Sequence, residues 1–160
     1  MEKEHDIKVV RVIDEKYSRQ CFEIVKQYPK KFKHYESALI ANYIVCLMDG
    51  ERVLGFVSLV DDKAFSGDLY ILQVAVDRSE QGKGYGRVLL EYVKKHSKGF
   101  KRVVSDIRKD NSPSINLHKK VGMKILGVCD YANSFTFGVM VDSIIKNDYI
   151  SYTEENKELT

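Results

Sequence analysis

Apolar residues in this chain recur with two periods, one typical of strands and one typical of helices. The dipeptide Asp49-Gly50 lies between two apolar runs and is a strong hairpin signal. Residues 30–41 fit neither period clearly, and a second short helix is one interpretation of them. The runs with strand character predict strands over residues 7–13, 43–48, 52–60, 69–76, 102–107, 123–129 and 134–145.

Three segments between these strands have helical character. The first covers residues 15–27 and is ended by Pro29, and the second covers residues 87–95. The third begins at Ser112 as its N-cap, has Pro113 in its first turn and ends at Gly122. The predicted buried faces are Cys21, Phe22, Ile24, Val25 and Tyr28 in the first helix, and Tyr85, Val88, Leu89, Tyr92 and Val93 around the second.

The order of these elements predicts the fold class. A strand, a loop, a helix and a strand follow one another over residues 69–107, so these two strands should be parallel. We therefore predict an α/β protein with a mixed sheet and helices on both faces, forming one domain over residues 1–150 with a polar tail over residues 151–160.

The most informative segment is the loop QGKGYG at residues 81–86, between a predicted strand and a predicted helix. Its three glycines permit positive φ and keep Cβ atoms away from an approaching ligand. The N–H groups and the dipole of the following helix attract an anion. Lys83 and Arg87 add two full charges, which suits a phosphorylated ligand.

Other phosphate-binding loops do not fit this segment. In a dinucleotide-binding G-x-G-x-x-G loop, Arg87 or Leu89 would occupy the position of the third glycine. The order G-x-x-x-x-G-K-[ST] is absent from the chain. The motif Q-x-x-G-x-G instead resembles the GCN5-related N-acetyltransferase (GNAT) superfamily. A second block at residues 111–123, NSPSINLHKKVGM, resembles the block that follows in that family, so the resemblance covers residues 53–127.

The resemblance implies a mostly antiparallel sheet with one splayed parallel strand pair, and acetyl-CoA as the cosubstrate. It implies that the pantetheine arm lies beside a bulged strand, with the Val74 N–H as the donor to the acetyl carbonyl. Asn111 matches an asparagine that contacts the pantetheine or its neighbours. The residues predicted to bind the cofactor are Val74, Ala75, Val76, Gln81, Gly82, Lys83, Gly84, Tyr85, Gly86, Arg87 and Asn111.

The candidate catalytic residues are His118, Asp68 and Tyr70. Many family members place a tyrosine general acid where this chain has His118, which either protonates the thiolate or packs on its helix beside Leu117 and Val121. Some members carry a glutamate at the position of Tyr70. Asp68, on the same strand face, either takes up a proton or attracts a cationic acceptor, or is an exposed loop-end residue. Tyr35, Glu36 and Tyr70 are predicted to shape the acceptor pocket.

These observations predict an acetyl-CoA-dependent N-acetyltransferase that acts on a primary amine by direct attack in a ternary complex. The acceptor stays open between small amines and protein N-termini. The alternative is a non-catalytic acyl-CoA-binding module, in which the missing tyrosine and glutamate record lost chemistry. The basic residues between positions 94 and 109 suit a solvated surface better than a nucleic-acid site, although some could meet the nucleotide phosphates of coenzyme A.

Composition narrows the class further. The net charge of +3 is too small to indicate nucleic-acid binding, and the longest apolar run is too short for a membrane helix. The three cysteines show no spacing typical of a metal site, so we expect reduced thiols and no metal. The charged first ten residues do not resemble a signal peptide. We expect a cytoplasmic protein without a membrane or nucleic-acid partner, either monomeric or dimeric through residues 135–150.

Overall fold

The structure is a computed structural model that describes residues 6–11, 15–28, 43–130 and 132–141 of the 160-residue chain. A single 3-10 turn, Arg78–Glu80, precedes the second helix. The elements are β1 (Asp6–Arg11), α1 (Glu15–Lys26), β2 (Tyr43–Asp49), β3 (Arg52–Asp62), β4 (Asp68–Val76), α2 (Tyr85–Lys95), β5 (Arg102–Arg108), α3 (Ser112–Lys120), β6 (Lys124–Cys129) and β7 (Ser134–Met140).

The described strands form one seven-stranded sheet in the order β1-β2-β3-β4-β5-β7-β6. All neighbours are antiparallel except β4 and β5, which are parallel because α2 connects them as a crossover. The two-residue turn between β2 and β3 is the hairpin predicted at Asp49-Gly50, and Gly50 supplies the positive φ of 58°. The predicted mixed α/β fold is confirmed.

A hydrophobic core lies on each face of the sheet. Helix α1 packs on one face through Tyr17, Cys21, Ile24 and Val25. Helix α2 packs on the other through Leu89, Leu90 and Val93. Helices therefore cover both faces, as the pattern predicted.

The predicted buried faces of the helices were partly wrong. Val88 is 44% exposed and Leu90 is fully buried, because each helical residue turns by roughly 100° and Val88 lies far from the centre of the buried face. Phe22 is only partly buried for the same reason, and Tyr17 is buried instead. Helix α2 begins at Tyr85, two residues before the predicted start.

The N-cap of α3 was predicted one residue too late. The side-chain oxygen of Asn111 accepts a hydrogen bond from the Ser114 N–H at 3.3 Å, so Asn111 is the cap and Ser112 begins the helix. Gly122, directly after the helix, has the predicted positive φ of 84°.

Several predictions fall outside the described residues. They concern Pro29, residues 12–13 and 30–41 with Tyr35 and Glu36, and residues 142–145 of the last predicted strand. Within the described residues that strand ends at Met140. Within the described residues, no helix is long and apolar enough to cross a membrane.

Candidate active site

Strands β4 and β5 separate part-way along their length. They are paired from Asp68 and Arg102 to Ile71 and Ser105, and the remainder of β4 pairs only with β3. At the point of separation β4 has one extra residue, Leu72, because Ser58 of β3 pairs with Gln73 while its neighbour pairs with Ile71. An extra residue bends a strand and disrupts its pairing. The bulge and the splayed pair that the resemblance implied are both present.

A cleft of about 890 Å³ lies at this separation. One wall comes from β4 and the other from the second half of β5 and the start of α3. Its volume falls in the range of small-molecule sites. Among the predicted site residues, those that line the cleft are Tyr70, Val74, Asn111 and His118.

The glycine loop has the open backbone that an anion site requires. Gly82 and Gly84 have φ values of 81° and 80°, and a Cβ built on either would meet no atom within 4 Å. Gly84 is the N-cap of α2, and the first hydrogen bond of the helix runs from the Val88 N–H to the Gly84 oxygen at 3.2 Å. The N–H groups of the first turn therefore precede the hydrogen-bond ladder of the helix.

Gly86 has a different role from the one predicted for it. Its φ is not positive, and a Cβ there would lie 3.0 Å from Leu117 Cδ2. The absence of a side chain at this position lets α2 approach α3 closely. Two of the three glycines thus serve the loop, and the third serves helix packing.

The charges around the loop are only partly available to a ligand. Lys83 forms an ion pair with Glu80 at 2.5 Å, and Glu80 also pairs with Arg52 at 3.2 Å. This contact raises the pKa of Lys83 and lowers that of Glu80. Arg87 is exposed, and no ion pair involves it within the described segments. Arg87 is therefore the better candidate for a full positive charge at the loop.

Tyr28, at the end of α1, contacts this loop. Its hydroxyl donates to the Val76 carbonyl oxygen at 2.5 Å and accepts from the Gln81 side-chain amide at 2.5 Å. The Arg78 guanidinium lies 5.3 Å from the centre of its ring. The apolar period predicts only that Tyr28 lies on the buried face of α1. Its contacts join residues 48 and 53 positions apart, so no local pattern could have revealed them.

His118 is 1% exposed and packs beside Phe137, with ring centres 5.8 Å apart. Its Nδ1 lies 2.7 Å from the carbonyl oxygen of Ser114, one turn earlier in α3. A carbonyl only accepts, so Nδ1 carries the hydrogen in this contact. In neutral His118 the lone pair is then on Nε2, and only the protonated ring donates from that nitrogen.

Tyr70 lies on β4, in the other wall of the cleft from His118. Its hydroxyl donates to Asp106 Oδ2, and Thr136 Oγ1 donates to Asp106 Oδ1 at 2.7 Å. Burial, followed by the contact with Asp106, raises the pKa of Tyr70. The sequence analysis did not single out Asp106. Alternation along β5 predicts only that Asp106 points away from the face of Val103 and Ile107, and its position beside Tyr70 depends on the pairing of β5 with β4.

The family model for the Acetyltransferase (GNAT) family matches residues 10–123. The chain belongs to this family. No curated protein matches the sequence.

Solved acetyltransferase structures share the fold at low sequence identity. A Bacillus subtilis acetyltransferase in complex with CoA has a TM-score of 0.69 at 15% identity, covering 86% of this chain and 99% of its own. The ribosomal-protein-S18-alanine N-acetyltransferase from Escherichia coli has a TM-score of 0.65 at 16% identity, covering 86% and 94%. The Salmonella typhimurium protein yncA, with its cofactor acetyl-CoA, has a TM-score of 0.64 at 19% identity, covering 88% and 95%.

Asp68 is not the exposed loop-end residue that one interpretation of the sequence made it. It is 4% exposed and receives two hydrogen bonds from Arg102, from Nε at 3.0 Å and from Nη2 at 2.7 Å. The contact raises the pKa of Arg102. Both carboxylate oxygens of Asp68 are therefore engaged at the paired end of β4 and β5. This position argues against the role in proton transfer that was predicted for it.

The three predicted positions on β4 differ in their surroundings. Val74 lines the cleft and packs against the core under α2. Ala75 is buried in the core under α1, and the Val76 carbonyl accepts the hydrogen bond from Tyr28. The Asn111 side chain caps α3 at the rim of the cleft. The described residues contain no cluster that could hold a metal ion.

Proposed function

We propose that this GNAT protein transfers an acetyl group from acetyl-CoA to a primary amine by direct attack in a ternary complex. The observation that carries the proposal is the separation of β4 and β5 beside the open glycine loop. The glycine loop would hold the diphosphate of the ligand, and the separated strands would admit its acyl arm between them. Acetyl-CoA, when bound, supplies the acetyl group as a thioester.

The residues present fit such a ligand. Gly82 and Gly84 leave the backbone open, and the first turn of α2 directs N–H groups and the positive end of its dipole toward the loop. Arg87 adds a charge one turn further on. Val74 and Asn111, on opposite walls of the cleft, would contact the pantetheine arm.

The composition of the cleft supports direct attack. No cysteine is found among the described residues that line it, and Cys21 and Cys46 are buried in the core under α1. Ser114 Oγ lies 3.4 Å from His118 Nδ1, but that nitrogen already donates to the Ser114 carbonyl. Because Nδ1 carries a hydrogen, it cannot take the proton of the Ser114 hydroxyl. Ser114 is therefore not activated as a nucleophile.

His118 is the candidate donor of the proton that the departing thiolate requires. In the tautomer that the contact with the Ser114 carbonyl requires, it would donate from Nε2 only when the ring is protonated. The alternative function, a non-catalytic acyl-CoA-binding module, is favoured by the same residue, because His118 is almost fully buried. Binding and turnover must therefore be measured separately.

The first experiment tests whether the protein binds acetyl-CoA, the acetyl donor. We expect acetyl-CoA and CoA to raise the melting temperature of the protein, and ATP to have little effect because it lacks the pantetheine arm. Folded protein that neither acetyl-CoA nor CoA stabilises would overturn the assignment.

The second experiment measures transfer, as release of free thiol from acetyl-CoA in the presence of a panel of primary amines. Turnover that depends on the amine supports the transferase. Stabilisation by acetyl-CoA without turnover of any amine in the panel supports the binding module.

A further inference from the structure

Asp106 is a carboxylate in the cleft that has two neutral partners. Tyr70 donates to one of its oxygens and Thr136 to the other. Within the described segments, no lysine, arginine or histidine forms an ion pair with it. The nearby Arg108 is paired with Asp110 at 3.2 Å, and that contact occupies the closest guanidinium in the sequence. Among the described residues, the Asp106 carboxylate therefore has two neutral hydrogen-bond donors and no ion-pair partner.

The sheet register shows which face carries this group. Phe56 packs in the core under α1, so Val60, four residues later on β3, points to the same face, as does its partner Tyr70. Asp106 is the cross-strand partner of Thr136 and shares the face of Tyr70. Helix α2, which follows the glycine loop, packs on the opposite face. Asp106 thus points to the face of the sheet on which α1 packs, and the helix that follows the glycine loop packs on the other face.

The hydrogen bonds around Asp106 leave mainly acceptor groups facing a ligand at these side chains. The hydroxyl protons of Tyr70 and Thr136 both point to Asp106, so the two side chains offer only lone pairs to a third group. Burial and the carboxylate together raise the pKa of Tyr70, which keeps the phenol protonated at neutral pH. At these three side chains a ligand meets hydrogen-bond acceptors and a negative charge, whereas the guanidinium groups that line the same cleft, Arg78 and Arg108, contact the Tyr28 ring and Asp110.

We propose that Asp106 binds the acceptor as an ammonium ion, and that this end of the cleft selects primary amines without a carboxylate next to the amine. The inference rests on the proposed function and adds the acceptor class to it. An ammonium group supplies the donors that the three side chains lack, and a charge-assisted hydrogen bond to a carboxylate is stronger than a neutral one. A neighbouring carboxylate on the acceptor would be repelled by Asp106 and would find no donor among these side chains.

The test compares matched amines that differ mainly in the carboxylate: alaninamide with alanine, tyramine with tyrosine, and histamine with histidine. Thiol release from acetyl-CoA gives kcat/KM for each. We expect the wild-type protein to prefer the carboxylate-free member of each pair. We expect Asp106→Asn to lower kcat/KM for that member by about 10- to 100-fold. The preference within the pair should also shrink by about tenfold, because the repulsion is removed.

Comparing the ratio between two proteins cancels the different basicities of the amines. Asp130→Asn is the matched control, because Asp130 is an exposed carboxylate that pairs with Lys109 and does not line the cleft. The KM for acetyl-CoA should change less than about threefold in Asp106→Asn, which a general disturbance of the sheet would not allow. If that variant fails to fold, Asp106→Ser also removes the charge from this exposed position and should shift the ratio in the same direction.

Two failures are distinguishable. A wild-type protein that acetyl-CoA stabilises but that acetylates none of the six amines would overturn the proposed amine transfer and this inference together. Turnover of the amines with a ratio that is the same in wild type, Asp106→Asn and Asp106→Ser would overturn the inference alone.

Discussion

The side-chain amide of Gln81 donates a hydrogen bond to the hydroxyl of Tyr28 at 2.5 Å, and that hydroxyl donates in turn to the Val76 carbonyl at 2.5 Å. One hydroxyl group thus connects the end of α1, the end of β4 and the first residue of the glycine loop. Burial raises the pKa of Tyr28, so the hydroxyl keeps its proton. The loop is held against the sheet from the side that faces away from α2.

We expect Tyr28→Phe to weaken acetyl-CoA binding. The variant keeps the ring under Arg78 and removes two hydrogen bonds, each of which contributes about 0.5–1.5 kcal/mol. The Kd for acetyl-CoA, measured by calorimetry, should rise by about 3- to 30-fold. Tyr92→Phe is the matched control, because Tyr92 stacks on His96 at the far end of α2. Equal affinities in wild type and Tyr28→Phe would show that the loop keeps its shape without this contact.

The three loop glycines should respond differently to alanine. Gly82→Ala and Gly84→Ala each place a methyl group in the open space beside the loop backbone, where the diphosphate would bind. We therefore expect each to reduce acetyl-CoA affinity. Both also force a non-glycine residue to positive φ, which costs about 1 kcal/mol of stability. Gly86→Ala meets Leu117 instead and should mainly lower the melting temperature.

Gly50→Ala separates strain from ligand contact. Gly50 also has positive φ and open space around its Cβ position, but it lies in the hairpin between β2 and β3. Its variant should lose stability and keep acetyl-CoA affinity. If Gly82→Ala and Gly50→Ala bind acetyl-CoA equally well, the open face of the loop is not the ligand surface.

Local chemistry predicted the parts of the site that depend on neighbouring residues. The loop, its helix and the parallel strand pair follow from glycine positions and apolar periods, which act over a few residues. Asp106 acquires its significance from Tyr70 and Thr136, which lie 36 and 30 positions away. The bulge at Leu72 depends on the pairing of β4 with β3, and the residue type at that position does not predict it. Contacts between distant segments were therefore the part that sequence reasoning missed.

The ion pair between Asp68 and Arg102 should be structural. Arg102→Gln leaves a buried carboxylate with weaker donors, and Arg102 is partly exposed, so we expect a loss of about 1–3 kcal/mol in unfolding free energy. Asp68→Asn should lose a comparable amount. Urea unfolding measures both. If Asp68 transfers a proton in the reaction, kcat should fall far more in Asp68→Asn than in Arg102→Gln at a temperature where both are folded.

Tyr70 should make stability depend on pH in the alkaline range. Its pKa in the folded protein lies above the usual value near 10, because burial and Asp106 favour the protonated phenol. Its stabilising contribution is complete below about pH 10 and is lost as the pH rises above that value toward the folded pKa. The stability difference between wild type and Tyr70→Phe should therefore be constant below about pH 10 and should fall above it. Parallel curves up to the end of the folded range would contradict the shift.

His118 provides the sharpest test of the chemistry. If its protonated ring supplies the proton to the departing thiolate, His118→Phe should lower kcat by on the order of 100-fold and raise the KM for acetyl-CoA much less. Ser114→Ala is the matched control, because it removes the hydroxyl 3.4 Å from Nδ1 and keeps the carbonyl that orients the ring. It should change kcat far less than His118→Phe does. Unfolding measurements must accompany both variants, since His118 is buried. An unchanged kcat in folded His118→Phe would show that the ring only packs against Phe137, and the proton would then have to come from another group or from water.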